Sequence, residues 1–306
     1  MRRFVQIPSA IIFRKGNCMN LCSEHEIREL LSRHGFRFSK SMGQNFLIDP
    51  SVPRDIAAAS GADQSCGVLE IGPGIGPLTA ELSLRAGKVV SIELDRSLLP
   101  VLAETMAGRD NVEIISGDAL KLDLASLAAD KFAGLHPIVC ANLPYNITTP
   151  VLARLVETPC FESVTVLIQR EVARRICAAP GDPDGSSFSL FLQYFMEPEL
   201  LFDVTPDRFL PAPKVTSSVM RCVRRAQPAV QVDDEAFFFK VMRGAFLLRR
   251  KTLVNSLSSA LCQPKDKIAS SIAAVGLPNT IRGERLTLQN FADLSRQLQL
   301  SEAKSE

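Results

Sequence analysis

Gly67-Val68-Leu69-Glu70-Ile71-Gly72-Pro73-Gly74-Ile75-Gly76-Pro77 is a short apolar run that feeds a glycine-rich turn, with a helical stretch, Leu78 to Ala86, directly behind it. A run of this length bounded by turn residues reads as a strand buried on both faces, as in parallel sheets. Glycines between strand and helix let backbone approach a ligand closely, and the helix start offers N–H groups without intrahelical partners. Pro77 suits a first helical turn, where its missing N–H costs nothing. The spacing is not the dinucleotide fingerprint: G-x-G-x-x-G requires glycine at position 77, which is proline. The turn therefore reads as a nucleotide site that does not call for a pyrophosphate.

Further strands follow on both sides of short helical patterns. Lys88 to Asp95 ends in acids, and Glu93 lies about 20 residues beyond the first glycine, where a carboxylate can accept both hydroxyls of a ribose. Val112 to Ser116 leads into Gly117-Asp118-Ala119, which places Asp118 to accept a hydrogen bond from an adenine amino group. The plain alternatives are a surface acid for Glu93 and a helix N-cap for Asp118. Pro137 to Ala141 and Val164 to Ile168 complete the series. Alternation of strands and helices from Gly67 to Gln169 predicts a doubly wound, Rossmann-like parallel sheet, and such sheets bind ligands at the carboxyl ends of their strands.

At one such end stands Asn142-Leu143-Pro144-Tyr145. This combination suits methyl transfer to an exocyclic amine of a planar base. The adenine N6 lone pair is delocalised into the ring, so the nitrogen is a poor nucleophile. The Asn142 side-chain oxygen and the Leu143 carbonyl can each accept a hydrogen bond from the amine and favour a more tetrahedral nitrogen. Pro144, with a fixed φ and no N–H, aims the preceding carbonyl. Tyr145 offers a face for stacking. The competing reading is structural: an asparagine before a turn, a proline within it and a tyrosine in the core.

Taken together, these stretches resemble the ribosomal RNA adenine-N6,N6-dimethyltransferase family, the KsgA family of bacteria. The resemblance runs from about Phe38 to the C-terminus. Besides the segments above it includes Gly43-Gln44-Asn45-Phe46-Leu47, Gln169-Arg-Glu-Val172, Phe209-Leu-Pro-Ala-Pro-Lys-Val215, Arg249-Arg-Lys-Thr-Leu253 and Arg282-Gly-Glu-Arg-Leu286. The glycine turn is common to many methyltransferases, whereas Gly43 to Leu47 and Arg249 to Leu253 are more specific. The resemblance implies S-adenosylmethionine as methyl donor, with Gln44, Asn45, Leu47, Gly72, Gly74, Glu93, Asp118 and Asn142 as donor-binding positions and no metal. It implies catalysis by Asn142, Leu143, Pro144 and Tyr145, with Phe209 on the far side of the target ring. Lys214, Arg243, Arg249, Arg250 and Lys251 are the expected RNA contacts. Two positions depart from the family pattern: Thr216 stands where Asp is usual, and Arg170 where Lys is usual.

The 306 residues are enough for one large α/β domain and a smaller one. Eight cysteines without a C-x-x-C pair, and only three histidines, argue against a zinc site or disulfide framework and for a reducing cytoplasm. A net charge of +2 decides little; its distribution matters more. Residues 1–18 read as an extension, either disordered or not translated, with Met19 as the start. Its apolar stretch, Phe4 to Phe13, is too short to span a bilayer, and its basic, acid-free composition also leaves a transit peptide open. Ser23-Glu-His-Glu26 then opens a helix with an S-x-x-E capping box that ends near Gly35.

The methyltransferase domain is expected over residues 19–227. The family version of the fold implies an antiparallel pair, Leu200 to Val204 and Ser217 to Val223, at the sheet edge. Residues 228–306 show helical periodicity only: Asp233 to Leu248, Lys251 to Leu261, Lys265 to Val275 and Thr287 to Leu298. Lys240, Arg243, Arg249, Arg250 and Lys251 occur there without an intervening acid, so this small all-helical domain is expected to bind RNA through phosphates.

The expected function is dimethylation of the N6 amines of two adjacent adenosines near the 3′ end of small-subunit rRNA, within a pre-ribosomal particle, by a cytoplasmic monomer. The alternatives are the large-subunit rRNA methyltransferase of macrolide resistance and an assembly factor that acts mainly by binding.

Overall fold

A computed structural model describes residues 11–14, 17–36, 43–248 and 250–303. The chain forms two compact units. The first is built on seven strands: β1 (Cys66–Ile71), β2 (Lys88–Glu93), β3 (Val112–Ser116), β4 (His136–Asn142), β5 (Ser163–Gln169), β6 (Met196–Val204) and β7 (Ser217–Arg224). Their order is β3-β2-β1-β4-β5-β7-β6. The first five are parallel, and β7 enters antiparallel to β5. The order reverses between β1 and β4, which opens the crevice where ligands of such sheets bind. Register brings the strand ends level: Glu93 lies opposite Ser116, and Asn142 opposite Leu167.

All six residues of β1 are buried, Glu70 among them, as expected of a central strand covered on both faces. Helix α1 (Glu24–Arg33) packs with α4 (Leu99–Thr105), and α2 (Ser51–Ala59) with α3 (Pro77–Ser83). Helix α3 is buried on every side, so it has no amphipathic stripe to read. Helices α5 (Leu124–Lys131) and α6 (Thr148–Val156) cross between β3, β4 and β5. The Arg224 guanidinium meets the carbonyls of Leu155, Val156, Thr158 and Phe161 beyond and within the last turn of α6, where a cation complements the helix dipole.

Three details differ from the sequence reading. Ile11–Arg14 pairs antiparallel with Asn17–Asn20, so a hairpin occupies part of the stretch expected to be a disordered extension. Two positions separate Arg14 from Asn17 in sequence, the spacing of a tight hairpin. Residues 1–10, and the rest of that expectation, lie outside the described residues. Second, Ser23 caps α1 by accepting from the Glu26 N–H, but the Glu26 carboxylate accepts from the Asn20 N–H at 2.7 Å instead of closing the capping box. The Ser23 N–H is already spent on the Asn20 carbonyl.

Third, the helical unit takes Arg174–Pro198 as well as everything from Arg225, where the sequence placed a single boundary near 227. Helix α7 (Arg170–Cys177) straddles the first join, and α8 (Ser187–Phe195) belongs to the helical unit. There Leu190 and Tyr194 share a core with Phe238 and Phe239 of α9 (Glu235–Ala245). The core is completed by α10 (Leu253–Leu261), α11 (Lys265–Ala274) and α12 (Leu288–Ala303).

Within the first unit, the Glu70 carboxylate is fully buried near the end of β1. One of its oxygens accepts from Thr79 Oγ1 of α3 at 2.6 Å and from Ser91 Oγ of β2 at 2.7 Å. Burial raises its pKa from 4.5 to about 7 against the pull of those hydroxyls. The folded state therefore keeps a proton that the unfolded chain releases near pH 4.5. Stability falls as pH rises through that window and levels off above about pH 7. Glu70→Gln should flatten this fall, by on the order of 3 kcal/mol between pH 5 and pH 8. Urea unfolding of both proteins across that range measures it; an unchanged pH profile would remove Glu70 as the source.

Candidate active site

The strand ends of β1, β2 and β4 and the loop after β3 line one cleft of about 1250 Å³, measured out to its solvent mouth. Its floor is the glycine turn, where Gly72, Gly74 and Gly76 have φ of 71°, 63° and 92°, a region closed to most side chains. A Cβ on Gly74 would also stand 3.0 Å from the Phe46 ring, so the turn tolerates only backbone at that approach. Phe46–Leu47 is held by pairing with Phe209–Leu210, which brings the Gly43 to Leu47 segment against the turn.

Glu93, at the end of β2, is 6% exposed. Each of its oxygens is fixed by backbone, one by the Gly74 N–H at 3.2 Å and the other by the Asp95 N–H at 2.7 Å. Burial lifts its pKa above the usual carboxylate range, opposed by these two donors. Asp118 accepts from the Leu120 N–H at 3.0 Å, and Gln44 donates to Asp95 at 2.7 Å. The cleft thus carries Glu93, Asp95 and Asp118, with the buried Glu70 behind them, and among the described residues no lysine or arginine lines it. A phosphate would be repelled there. A ligand that carries positive charge matches the sign of the field.

The Asn142 to Tyr145 turn forms the neighbouring wall. Asn142 Nδ2 reaches the Asn45 carbonyl at 3.5 Å, the outer limit of a hydrogen bond, which turns its oxygen toward acceptor duty. The Leu143 N–H is tied to the Leu167 carbonyl of β5, and the Pro144 carbonyl is taken by the Ile147 N–H and the Thr148 hydroxyl. The tyrosine ring is anchored at its far end, with its hydroxyl 2.6 Å from Ser217 Oγ at the start of β7. Burial raises the Tyr145 pKa, so the phenol stays neutral.

All eight residues expected at the donor site line this cleft, as do Leu143, Pro144 and Tyr145. Phe209 does not. It is 2% exposed and packs with Leu47, Val204 and Val219, because pairing with Leu47 turns it into the core. In this structure it offers no second stacking face. Lys214, Arg243, Arg250 and Lys251 are exposed at other places on the chain, and Arg249 lies outside the described residues. The two departures from the family pattern are neighbours: the Arg170 N–H donates to the Thr216 carbonyl at 3.0 Å, and the Arg170 guanidinium lies 3.5 Å from Asp203. Among the described residues no cluster of His, Cys, Asp and Glu is placed to hold a metal ion.

The family model described as ribosomal RNA adenine dimethylase matches residues 35–298. The chain belongs to the ribosomal RNA adenine dimethylase family. Relatives named ribosomal RNA small subunit methyltransferase A are 45% identical in Geobacillus thermodenitrificans, over 89% of this chain and 94% of that protein, and 42% identical in Alkaliphilus metalliredigens, over 91% and 98%. The crystal structure of the 23S rRNA methyltransferase ErmE superposes with a TM-score of 0.65 at 27% identity, covering 83% of this chain and all of that one. A dimethyladenosine transferase from Plasmodium falciparum shares the fold, with a TM-score of 0.69 at 23% identity over 84% and 98%. The dimethylase family membership accounts for the Rossmann-like sheet as that of a methyltransferase.

Ser217 escaped the sequence reading; only its place after the Pro-rich Phe209 to Val215 stretch marked it. Its hydroxyl positions the Tyr145 ring, so Ser217→Ala should slow methyl transfer roughly two- to tenfold, the worth of one net hydrogen bond. Tyr145→Phe should match it, and the double variant should be no slower than either single one. Single-turnover rates with labelled donor decide this; additive losses would mean that the two hydroxyls act separately.

Proposed function

We propose that this protein transfers methyl groups from S-adenosylmethionine to the N6 amines of two adjacent adenosines near the 3′ end of small-subunit rRNA, in a precursor of the small ribosomal subunit. The observation that carries the chemistry is the meeting of the Asn142 to Tyr145 turn with a cleft that is rich in carboxylates and, among the described residues, lined by no lysine or arginine. The choice of subunit is supported by 45% identity to relatives named for the small subunit, against 27% to the large-subunit enzyme ErmE.

The donor supplies an electrophilic methyl on a sulfonium that leaves as a neutral thioether. Glu93 takes the ribose hydroxyls on the lone pairs left over from its two backbone bonds, and Asp118 accepts from the adenine amine. The target adenosine leaves its stack to enter. Asn142 Oδ1 and the Leu143 carbonyl hold its N6, and Tyr145 supports the ring from one side. The N6 proton passes to solvent after transfer, so no strong base is required. Rate comes mainly from alignment of the amine with the methyl group. Outside the cleft, Lys240, Arg243, Arg250 and Lys251 are exposed and have no carboxylate partner within 4.0 Å among the described residues, which supports the helical unit as the phosphate-binding part.

Two measurements test this reading. Asn142→Ala should lower methylation of undermethylated small subunits roughly a hundredfold or more, the scale of losing one well-placed polar group from a reacting site, while RNA affinity holds because phosphate contacts dominate it. Normal dimethylation by the folded variant would end the assignment. Glu93→Ala should weaken donor binding by about 1.5–3 kcal/mol, the worth of hydrogen bonds to a charged acceptor. Titration calorimetry with S-adenosylmethionine reads this out, and an unchanged affinity would take the ribose away from Glu93.

A further inference from the structure

Between Glu235 and Asp266 the sequence holds no acid and six cations, Lys240, Arg243, Arg249, Arg250, Lys251 and Lys265. In the midst of them, just past α9, stand two large apolar side chains that the core does not take. Leu247 is 59% exposed and Leu248 38%. Single exposed leucines are ordinary. An adjacent pair at the centre of an acid-free basic segment is not.

The backbone that displays them is pinned. The Leu247 N–H donates to the Gly244 carbonyl at 3.2 Å, and the Lys251 N–H to the Leu248 carbonyl at 2.8 Å. The Leu248 N–H donates to Ser256 Oγ at 3.0 Å, and that hydroxyl, fully buried, donates in turn to the Gly244 carbonyl at 2.8 Å. A buried serine therefore ties the turn to both α9 and α10. The leucines are held out on a fixed backbone.

We propose that Leu247 and Leu248 form an apolar contact for unpaired RNA bases, framed by cations that take the flanking phosphates. The inference rests on the reading of the helical unit as RNA-binding. Charge selects the partner: a segment with this many cations and no acid attracts a polyanion. The leucines select its form. Bases in a duplex are stacked and closed to an apolar side chain, whereas unpaired bases can be splayed out against one.

The test compares two variants of the full chain on a short single-stranded RNA and on a duplex of the same length. Leu247→Ser/Leu248→Ser should weaken single-strand binding roughly tenfold, from apolar surface left in water, with the salt dependence and duplex binding unchanged. Leu247→Met/Leu248→Met should restore it. Arg250→Ala/Lys251→Ala should instead flatten the log–log salt slope, by roughly 0.7 for each single-strand phosphate that is no longer neutralised. If the serine variant binds single strands normally while the cation variant flattens the slope, the leucine contact is overturned and the RNA-binding reading of the unit stands. If the cation variant leaves the slope unaltered, that reading fails and the leucine contact with it. If the serine variant weakens both RNAs alike, the leucines do not discriminate unpaired bases and the inference is likewise overturned. Urea midpoints of each variant keep folding separate from binding.

Discussion

A buried carboxylate ties together the parts that make the cleft. Glu70 sits near the end of β1 and accepts from a hydroxyl of α3 and a hydroxyl of β2. Between β1 and α3 lies the glycine turn, and at the end of β2 lies Glu93. The turn's left-handed residues gain nothing locally from their conformation. They hold because strand and helix are fixed on either side, and Glu70 is one of the fixings. Glu93 then closes the arrangement by accepting from the Gly74 N–H, so the residue assigned to the ribose also braces the turn on which the nucleoside would lie.

The electrostatics of the chain are divided in the same spirit. Among the described residues Glu93, Asp95 and Asp118 and no cations line the cleft, while the exposed cations Lys240, Arg243, Arg250 and Lys251 of the helical unit lack carboxylate partners. A cleft of that sign admits a neutral or cationic group at lower cost than an anion.

Much of the site was legible because parallel sheets put function at strand ends. Once Gly67 to Ile71, Lys88 to Asp95, Val112 to Ser116 and Pro137 to Ala141 read as strands, the residues after them had to converge, and Gly72, Glu93, Asp118 and Asn142 do. Phe209 was misplaced because a resemblance carries a residue's neighbourhood without its direction; in an extended chain the next residue faces the other way. Ser217 was illegible because its partner, Tyr145, is 72 residues away, and no local pattern announces a contact between the turn after β4 and the start of β7. The S-x-x-E pattern at Ser23 was real, yet Glu26 serves Asn20, since short-range signals cannot register a competing donor from the preceding hairpin. The assignment of Arg174–Pro198 to the helical unit had the same cause: α8 is aromatic along its length, and sequence alone does not say which core receives it.

That crossing of the chain has a consequence for how the two units are inherited. The polypeptide leaves the sheet after Ala173, contributes a helix to the other core, returns for β6 and β7, and leaves again at Arg225. No single cut separates the halves. A fragment ending at 227 would carry α8 with Leu190 and Tyr194 stripped of their aromatic neighbours on α9, and the excised remainder would lack part of its own interior. Recombination at one junction cannot exchange the helical unit of this enzyme as a cassette. The helical unit can diversify along its surface loops, but it travels with the sheet it interrupts.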